Sequence, residues 1–145
     1  MFRGEFEHTV DGKGRTSLPA RFREVLAASG SDRMVVTRDV ERCLLLFPLA
    51  QWEAFERRLL ELPSMAPGVR LVKRTLIGSA HEVSVDANGR ILIPQPLREY
   101  ADLKREVVFA GQIDRIELWN RDAWRTLQSQ VDPAALQEAM EGLGI

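Results

Sequence analysis

Apolar and polar residues alternate from Glu5 to Val10, with Phe6, His8 and Val10 on one side, the two-residue period of a strand. Asp11-Gly12-Lys13-Gly14 follows as a tight-turn signal, since two glycines admit positive φ, and Arg15 to Leu18 returns as a second strand. Pro19 suits the start of a helix, where its missing N–H costs nothing. Phe22, Val25 and Leu26 give that helix one apolar face, and Gly30 suits its end. Met34 to Thr37 and Cys43 to Phe47 are apolar stretches around a polar segment, the pattern of a hairpin. Trp52, Phe55, Leu59 and Leu60 lie near helical spacing after Pro48. Pro63 and Pro67-Gly68 are expected to break the chain, and Val69, Val72 and Leu76 predict a further helix before Gly78. Strands are then predicted at Glu82–Val85 and Arg90–Ile93, a short helix from Pro96, and strands at Glu106–Ala110 and Arg115–Trp119. Trp124, Leu127 and Val131 predict a last helix, whereas Glu138 to Ile145, with two glycines, is expected to fray.

The second series of elements repeats the first. Asp11 to Glu24 aligns with Asp86 to Glu99 at an offset of 75, with Asp, Gly, Arg, Pro, Arg and Glu identical at six of fourteen places. Upstream, Glu7 and Val10 match Glu82 and Val85, and downstream Phe47 and Trp52 match Trp119 and Trp124 at an offset of 72. The organisation that follows is a first module over 5–48, a helical connector over 49–78, a second module over 79–122 and a helical tail over 123–145. A half of about 50 residues is a poor independent folder. Two β-rich copies with short strands and open edges are therefore expected to pair, closing a shared sheet or barrel about a pseudo-two-fold axis.

At 145 residues, 45% apolar and 28% charged, the chain has the balance of a soluble globular protein, which excludes disorder, collagen and a coiled-coil rod. The longest apolar run, Cys43 to Phe47, is far short of the roughly 20 residues that span a bilayer. Met1 to Glu5 has no apolar signal-peptide region, and the single cysteine permits neither an internal disulfide nor a multi-cysteine zinc site, so a cytoplasmic location is expected. No nucleophile elbow, Walker loop, His-Glu-x-x-His or Gly-x-Gly-x-x-Gly occurs. His8 and His81 fall outside the repeat register and lack metal-ligand partners; a strand histidine packing its ring on a neighbour fits them better. Cys43 lies in an apolar strand pattern, where a free thiol acts as a small hydrophobe. No enzymatic activity, metal or cofactor is expected.

A net charge of -1 argues against nucleic-acid binding by bulk charge. Its distribution argues otherwise. Seventeen of the 20 basic residues are Arg, which a coding bias explains as well as a function does. Residues 12 to 23, however, hold Lys13, Arg15, Arg21 and Arg23 and no acid. The Asp-x-x-Gly-Arg turn occurs twice, with Asp11 and Gly14, and again Asp86 and Gly89, placed to shape the turn, and Arg15 and Arg90 opening the returning strand. A turn device explains the Asp and the Gly; it does not explain clustered cations, which repel one another unless phosphates face them.

These segments, together with Phe2-Arg3-Gly4, Cys43-Leu44-Leu45-Leu46-Phe47-Pro48, Arg74-Thr75-Leu76-Ile77-Gly78 and Ile116-Glu117-Leu118-Trp119, resemble the MraZ family, bacterial regulators of the division and cell wall gene cluster. The resemblance runs from Met1 to about Trp124. It implies an α+β, β-rich fold of two AbrB-like βαβ modules of the swapped-hairpin type, forming one pseudo-two-fold β-barrel-like core with flanking helices. It also implies ring-shaped homo-oligomers that bind short repeats upstream of their own operon and repress it. The family's DNA-contacting arginine maps onto Arg15, with Lys13 beside it, and its second-half equivalent is Arg90. Asn88 replaces the lysine there, so the second face is less basic.

The expected function is a sequence-specific DNA-binding repressor, nucleoid-associated, with neither membrane nor small-molecule substrate as partner. Arg15 would read bases; Lys13, Arg21, Arg23 and Arg90 would position double-stranded DNA; Asp11, Gly14, Asp86 and Gly89 would hold the turns. The alternative is an oligomeric protein-interaction module on the same scaffold that does not read DNA.

Overall fold

The computed structural model describes residues 1–145. Eight strands and six α-helices follow one another in the order β1 (Glu5–Thr9), β2 (Arg15–Ser17), α1 (Ala20–Ala28), β3 (Arg33–Arg38), β4 (Leu44–Pro48), α2 (Leu49–Leu60), α3 (Pro67–Val72), β5 (His81–Ser84), β6 (Arg90–Leu92), α4 (Gln95–Tyr100), β7 (Glu106–Gly111), β8 (Ile116–Asn120), α5 (Arg121–Ser129) and α6 (Pro133–Leu143). A π-helical turn, Lys73–Ile77, continues α3. The α+β, strand-rich class expected from the patterning holds.

Strand pairing interleaves the two halves. One six-stranded antiparallel sheet runs β1-β7-β8-β4-β3-β5, and β2 pairs with β6 in a separate two-stranded ribbon. The hairpins β3–β4 and β7–β8 are local, but β1 pairs with β7, β5 with β3, β4 with β8 and β2 with β6, each across the repeat. The expected barrel is not closed: β1 and β5 stand at opposite edges of the sheet. The short strands β2 and β6 satisfy each other instead of joining those edges, and an isolated Val10–Thr16 bridge ties the ribbon to the end of β1.

Both sheet faces are covered, which is why β3, β4 and β7 read as continuous apolar runs rather than alternations. On one face, Met34, Val36, Leu44, Leu46, Val107, Phe109, Ile116 and Leu118 meet α1, α4 and the inner side of the ribbon in a core of 17 buried residues. Phe22 of α1 stands edge-on to Phe2 and Phe6, at 5.4 and 5.2 Å between ring centres. The opposite face carries two smaller clusters that mirror the repeat. Trp52 of α2 packs on Phe47 at 5.4 Å, and Trp124 of α5 packs on Trp119 at 5.9 Å.

Three local expectations are corrected. Pro67 does not end a segment but opens α3 from its first position, where no N–H is needed. Val131 lies beyond α5, which ends at Ser129. Glu138 to Leu143 does not fray but completes α6, capped by the Asp132 side chain at its start and by Gly144 in the left-handed region at its end. No helix is long and apolar enough to cross a membrane.

Candidate nucleic-acid interface

The two Asp-x-x-Gly-Arg turns are built from the same bonds. Asp11 Oδ1 accepts from the backbone N–H groups of Lys13 at 2.9 Å and Arg15 at 3.0 Å. Its Oδ2 accepts from Arg15 Nε at 2.9 Å. In the second half, Asp86 Oδ1 accepts from the N–H groups of Asn88 at 2.8 Å and Arg90 at 2.9 Å, and Oδ2 from Arg90 Nε at 3.1 Å. Gly14 and Gly89 adopt φ of +88° and +75°, which closes each turn at a cost any side chain would raise. Stabilised first by the Arg15 N–H, then by Lys13 N–H and the Arg15 side chain, the Asp11 carboxyl is lowered from 3.8 to about 2; desolvation opposes this only in part. The Arg90 N–H likewise lowers Asp86. Each Asp therefore faces its own loop as a carboxylate.

This wiring decides what the arginines present. Asp11 engages Arg15 through Nε, and no protein group accepts from either of its terminal nitrogens. Arg90 is held by Asp86 in the same way. Arg15 lies opposite Leu92 and Arg90 opposite Ser17 in the ribbon, while Thr16 and Ile91 between them are buried. Arg15, Ser17, Arg90 and Leu92 consequently share the outward face, with the two arginines diagonal to each other. Lys13 and Arg21 are exposed; Asn88 and Pro96 occupy the corresponding positions of the second half.

Arg23 is placed differently. It donates from Nη1 to the Leu18 carbonyl at 2.9 Å, and its guanidinium lies under Gly89, where an added Cβ would come within 2.5 Å of Nη1. Arg98, its counterpart at an offset of 75, lies under Gly14 at the same 2.5 Å. Each half's helix thus supports the other half's turn with an arginine. Sequence reasoning singled out Arg23 and not Arg98, although the Arg23–Arg98 identity stood in the repeat.

The remaining polar residues have local roles. The His8 ring contacts the Ser17 carbonyl through Nδ1 at 2.7 Å and stands edge-on to Phe109 at 5.6 Å, the packing expected of it. Asp39, Cys43 and Glu117 converge, but the Cys43 thiol lies 3.6 Å from Asp39 Oδ2 and Glu117 accepts from Trp119 Nε1 at 3.0 Å. Burial, then the charges of Glu117 and Asp39, push the thiol up, so it stays neutral and packs with Val108, Ala110 and Trp119.

The comparisons agree with the duplication. A family model described as "MraZ protein, putative antitoxin-like" matches residues 1–75 and again 76–142. The transcriptional regulator MraZ of Alkalilimnicola ehrlichii is 43% identical over 97% of this chain and 94% of its own length. That of Nitrosomonas europaea is 46% identical over 86% of this chain and 84% of its own. That of Shewanella oneidensis is 46% identical over 98% of this chain and 91% of its own. With both halves matched and relatives this similar along nearly the whole length, the chain belongs to the MraZ family.

Proposed function

We propose that the protein is a transcriptional regulator that binds DNA sequence-specifically and represses its own operon, part of the division and cell wall gene cluster. One observation carries this reading: Arg15 is fixed through Nε, with both terminal nitrogens free, on the outward face of a two-stranded ribbon. A ribbon of that kind enters the major groove, where two parallel N–H donors match the O6 and N7 of guanine. Lys13 and Arg21 flank it as phosphate contacts, and Arg90 is the weaker second reader. Arg23 acts from beneath the ribbon, holding the Gly89 turn. The cross-half strand pairing fits a swapped-hairpin origin of the two modules.

So few cations bind weakly as one unit. A homo-oligomer, in ring form, engaging several upstream repeats raises the effective affinity about 10²–10⁴-fold. The exposed apolar residues Leu136, Met140 and Leu143 of α6 are available for subunit contacts. The setting is the cytoplasm, at the nucleoid, with no small-molecule substrate. The test is a gel shift with the DNA just upstream of the gene, beside light scattering for mass. Wild type should shift that fragment as an oligomer, and Arg15→Ala should lose specific binding at unchanged mass. Equal binding by Arg15→Ala would overturn the assignment of this face.

A further inference from the structure

The first turn forms one wall of a cleft of about 550 Å³, lined on its other side by Arg98, Leu103, Lys104 and Arg105. Its charge is three cations against one carboxylate, and that carboxylate, Asp11, is already committed to Arg15. The duplication supplies a control within the same molecule. A cleft of about 650 Å³ lies beside the second turn, lined by Arg23, Ser31, Asp32 and Asp86 among others. The two correspond bond for bond at the strand end: Val10 N–H donates to the Arg105 carbonyl at 2.7 Å, and Val85 N–H to the Asp32 carbonyl at 3.0 Å. Arg105 thus stands where Asp32 stands, and Lys104 where Ser31 stands. The second cleft has one cation against two carboxylates.

The cations of the first cleft are also the less engaged. Arg23 is anchored on the Leu18 carbonyl, whereas Arg98 donates to no protein group and its Nε is buried without an acceptor. Arg105 forms no ion pair, and Lys104 pairs only with Asp102 at 2.9 Å, with both side chains more than two-thirds exposed. A pair so exposed contributes little and yields to a stronger anion.

We infer that the cleft formed by Arg98, Lys104 and Arg105 against the Asp11–Gly14 turn is a phosphate site that takes the DNA backbone flanking the stretch read by the ribbon. This rests on the DNA-binding reading above and adds contacts on the first half only. The ligand chemistry is a phosphate; a free phosphorylated molecule is the other source of it, and the experiment separates the two.

The experiment compares the full-length wild type with Lys104→Ala/Arg105→Ala, on the upstream fragment and on a scrambled fragment, from 50 to 200 mM salt. Both residues are exposed, so an unchanged melting temperature establishes that the fold is kept. Losing two phosphate contacts should flatten the slope of log K against log salt by about 2 for each engaged chain. Affinity should fall on both fragments alike, with their ratio unchanged. Ser31→Lys/Asp32→Arg, which installs the same cations beside the second turn, should steepen the slope. Wild-type affinity and slope in the double alanine variant, with Arg15→Ala still losing specific binding, would overturn the cleft and leave the ribbon reading standing. Loss confined to the upstream fragment would overturn it as well, since a phosphate contact does not distinguish sequences. No retention of either fragment by wild type would overturn both readings. Inorganic pyrophosphate titrated without DNA gives the last arm. Amide shifts at residues 104 and 105, combined with unaltered DNA binding by the double variant, would assign the cleft to a free phosphorylated ligand and not to DNA.

Discussion

The Asp11–Arg15 and Asp86–Arg90 turns share their backbone bonds, their carboxylate–guanidinium contact and their supporting arginine, yet they sit in different surroundings. Lys13 projects from the first turn and Asn88 from the second; Lys104 and Arg105 stand beside the first, Ser31 and Asp32 beside the second. The duplicated chain has kept the device that shapes the turn and let the charge around it diverge. Groups that fix φ and satisfy the turn's own N–H donors are required in both copies, because each half's turn rests on the other half's helix. Surface cations carry no such requirement, so one copy can specialise in holding DNA.

The largest difference between the halves is expected in the core. Phe22 packs edge-on to two phenyl rings, and Leu97 holds the matching position in α4. Phe22→Ala should cost about 3–5 kcal/mol and Leu97→Ala about 2–5 kcal/mol in denaturant unfolding, with the phenylalanine the larger; equal losses would mean that the aromatic cluster gives the first half no extra stability. On DNA, Arg15→Ala should weaken specific binding by about 1–3 kcal/mol, the range of a bidentate base contact. Arg90→Ala should weaken it less, and competition gel shifts that find the two equal would make the halves equivalent readers. Gly89→Ala should destabilise by about 1–2 kcal/mol through its left-handed φ alone, and more where the neighbour cannot move. Arg23 under Gly89 is tied to the Leu18 carbonyl and Arg98 under Gly14 makes no hydrogen bond, so Gly14→Ala should be the milder change. A reversed order in thermal melts would mean that Arg98 is held as firmly as Arg23.

The smallest effect is in acid. The carboxyl of Asp11 is lowered in the fold, so its contribution is complete above the unfolded value near 3.8 and lost as pH falls through about 2. A carboxyl carbon NMR titration should place the Asp11 midpoint near 2 and that of Asp86 below 3.8. A midpoint at the ordinary value for Asp11 would mean that the turn bonds do not persist in solution.

Much of this was legible in the residues. The turns announce themselves because Asp, two-residue spacing to the next amide and a glycine at positive φ are local chemistry. The Phe47–Trp52 and Trp119–Trp124 match marked the repeat, and in the fold each pair lies in one of the two helix-on-sheet clusters. Which strand pairs with which was not legible: β1 and β5 carry no mark of the partner they find more than 40 residues away. That choice also decided that the sheet stays open, since it left β2 and β6 to each other. Arg98 supports a turn in the other half, and in one dimension such a residue looks like any helix-surface arginine. Its recurrence in the repeat was the available signal. In α6 the glycines suggest fraying, but the Asp132 side chain caps its start and Gly144 closes its end.

The pairing of β1 with β7 also sets a timetable. Glu5–Thr9 leaves the ribosome before its partner, Glu106–Ala110, which is made about 100 residues later. At about 5–20 residues per second that separation amounts to roughly 5–20 seconds of synthesis. For that interval the amino-terminal strand has exposed hydrogen-bonding groups and no sheet to join. Glu5 and Glu7 along its outer side are the kind of edge charges that discourage pairing with a neighbouring nascent chain. This edge strand is thus made well before the strand it joins, with two acidic side chains along it in the meantime.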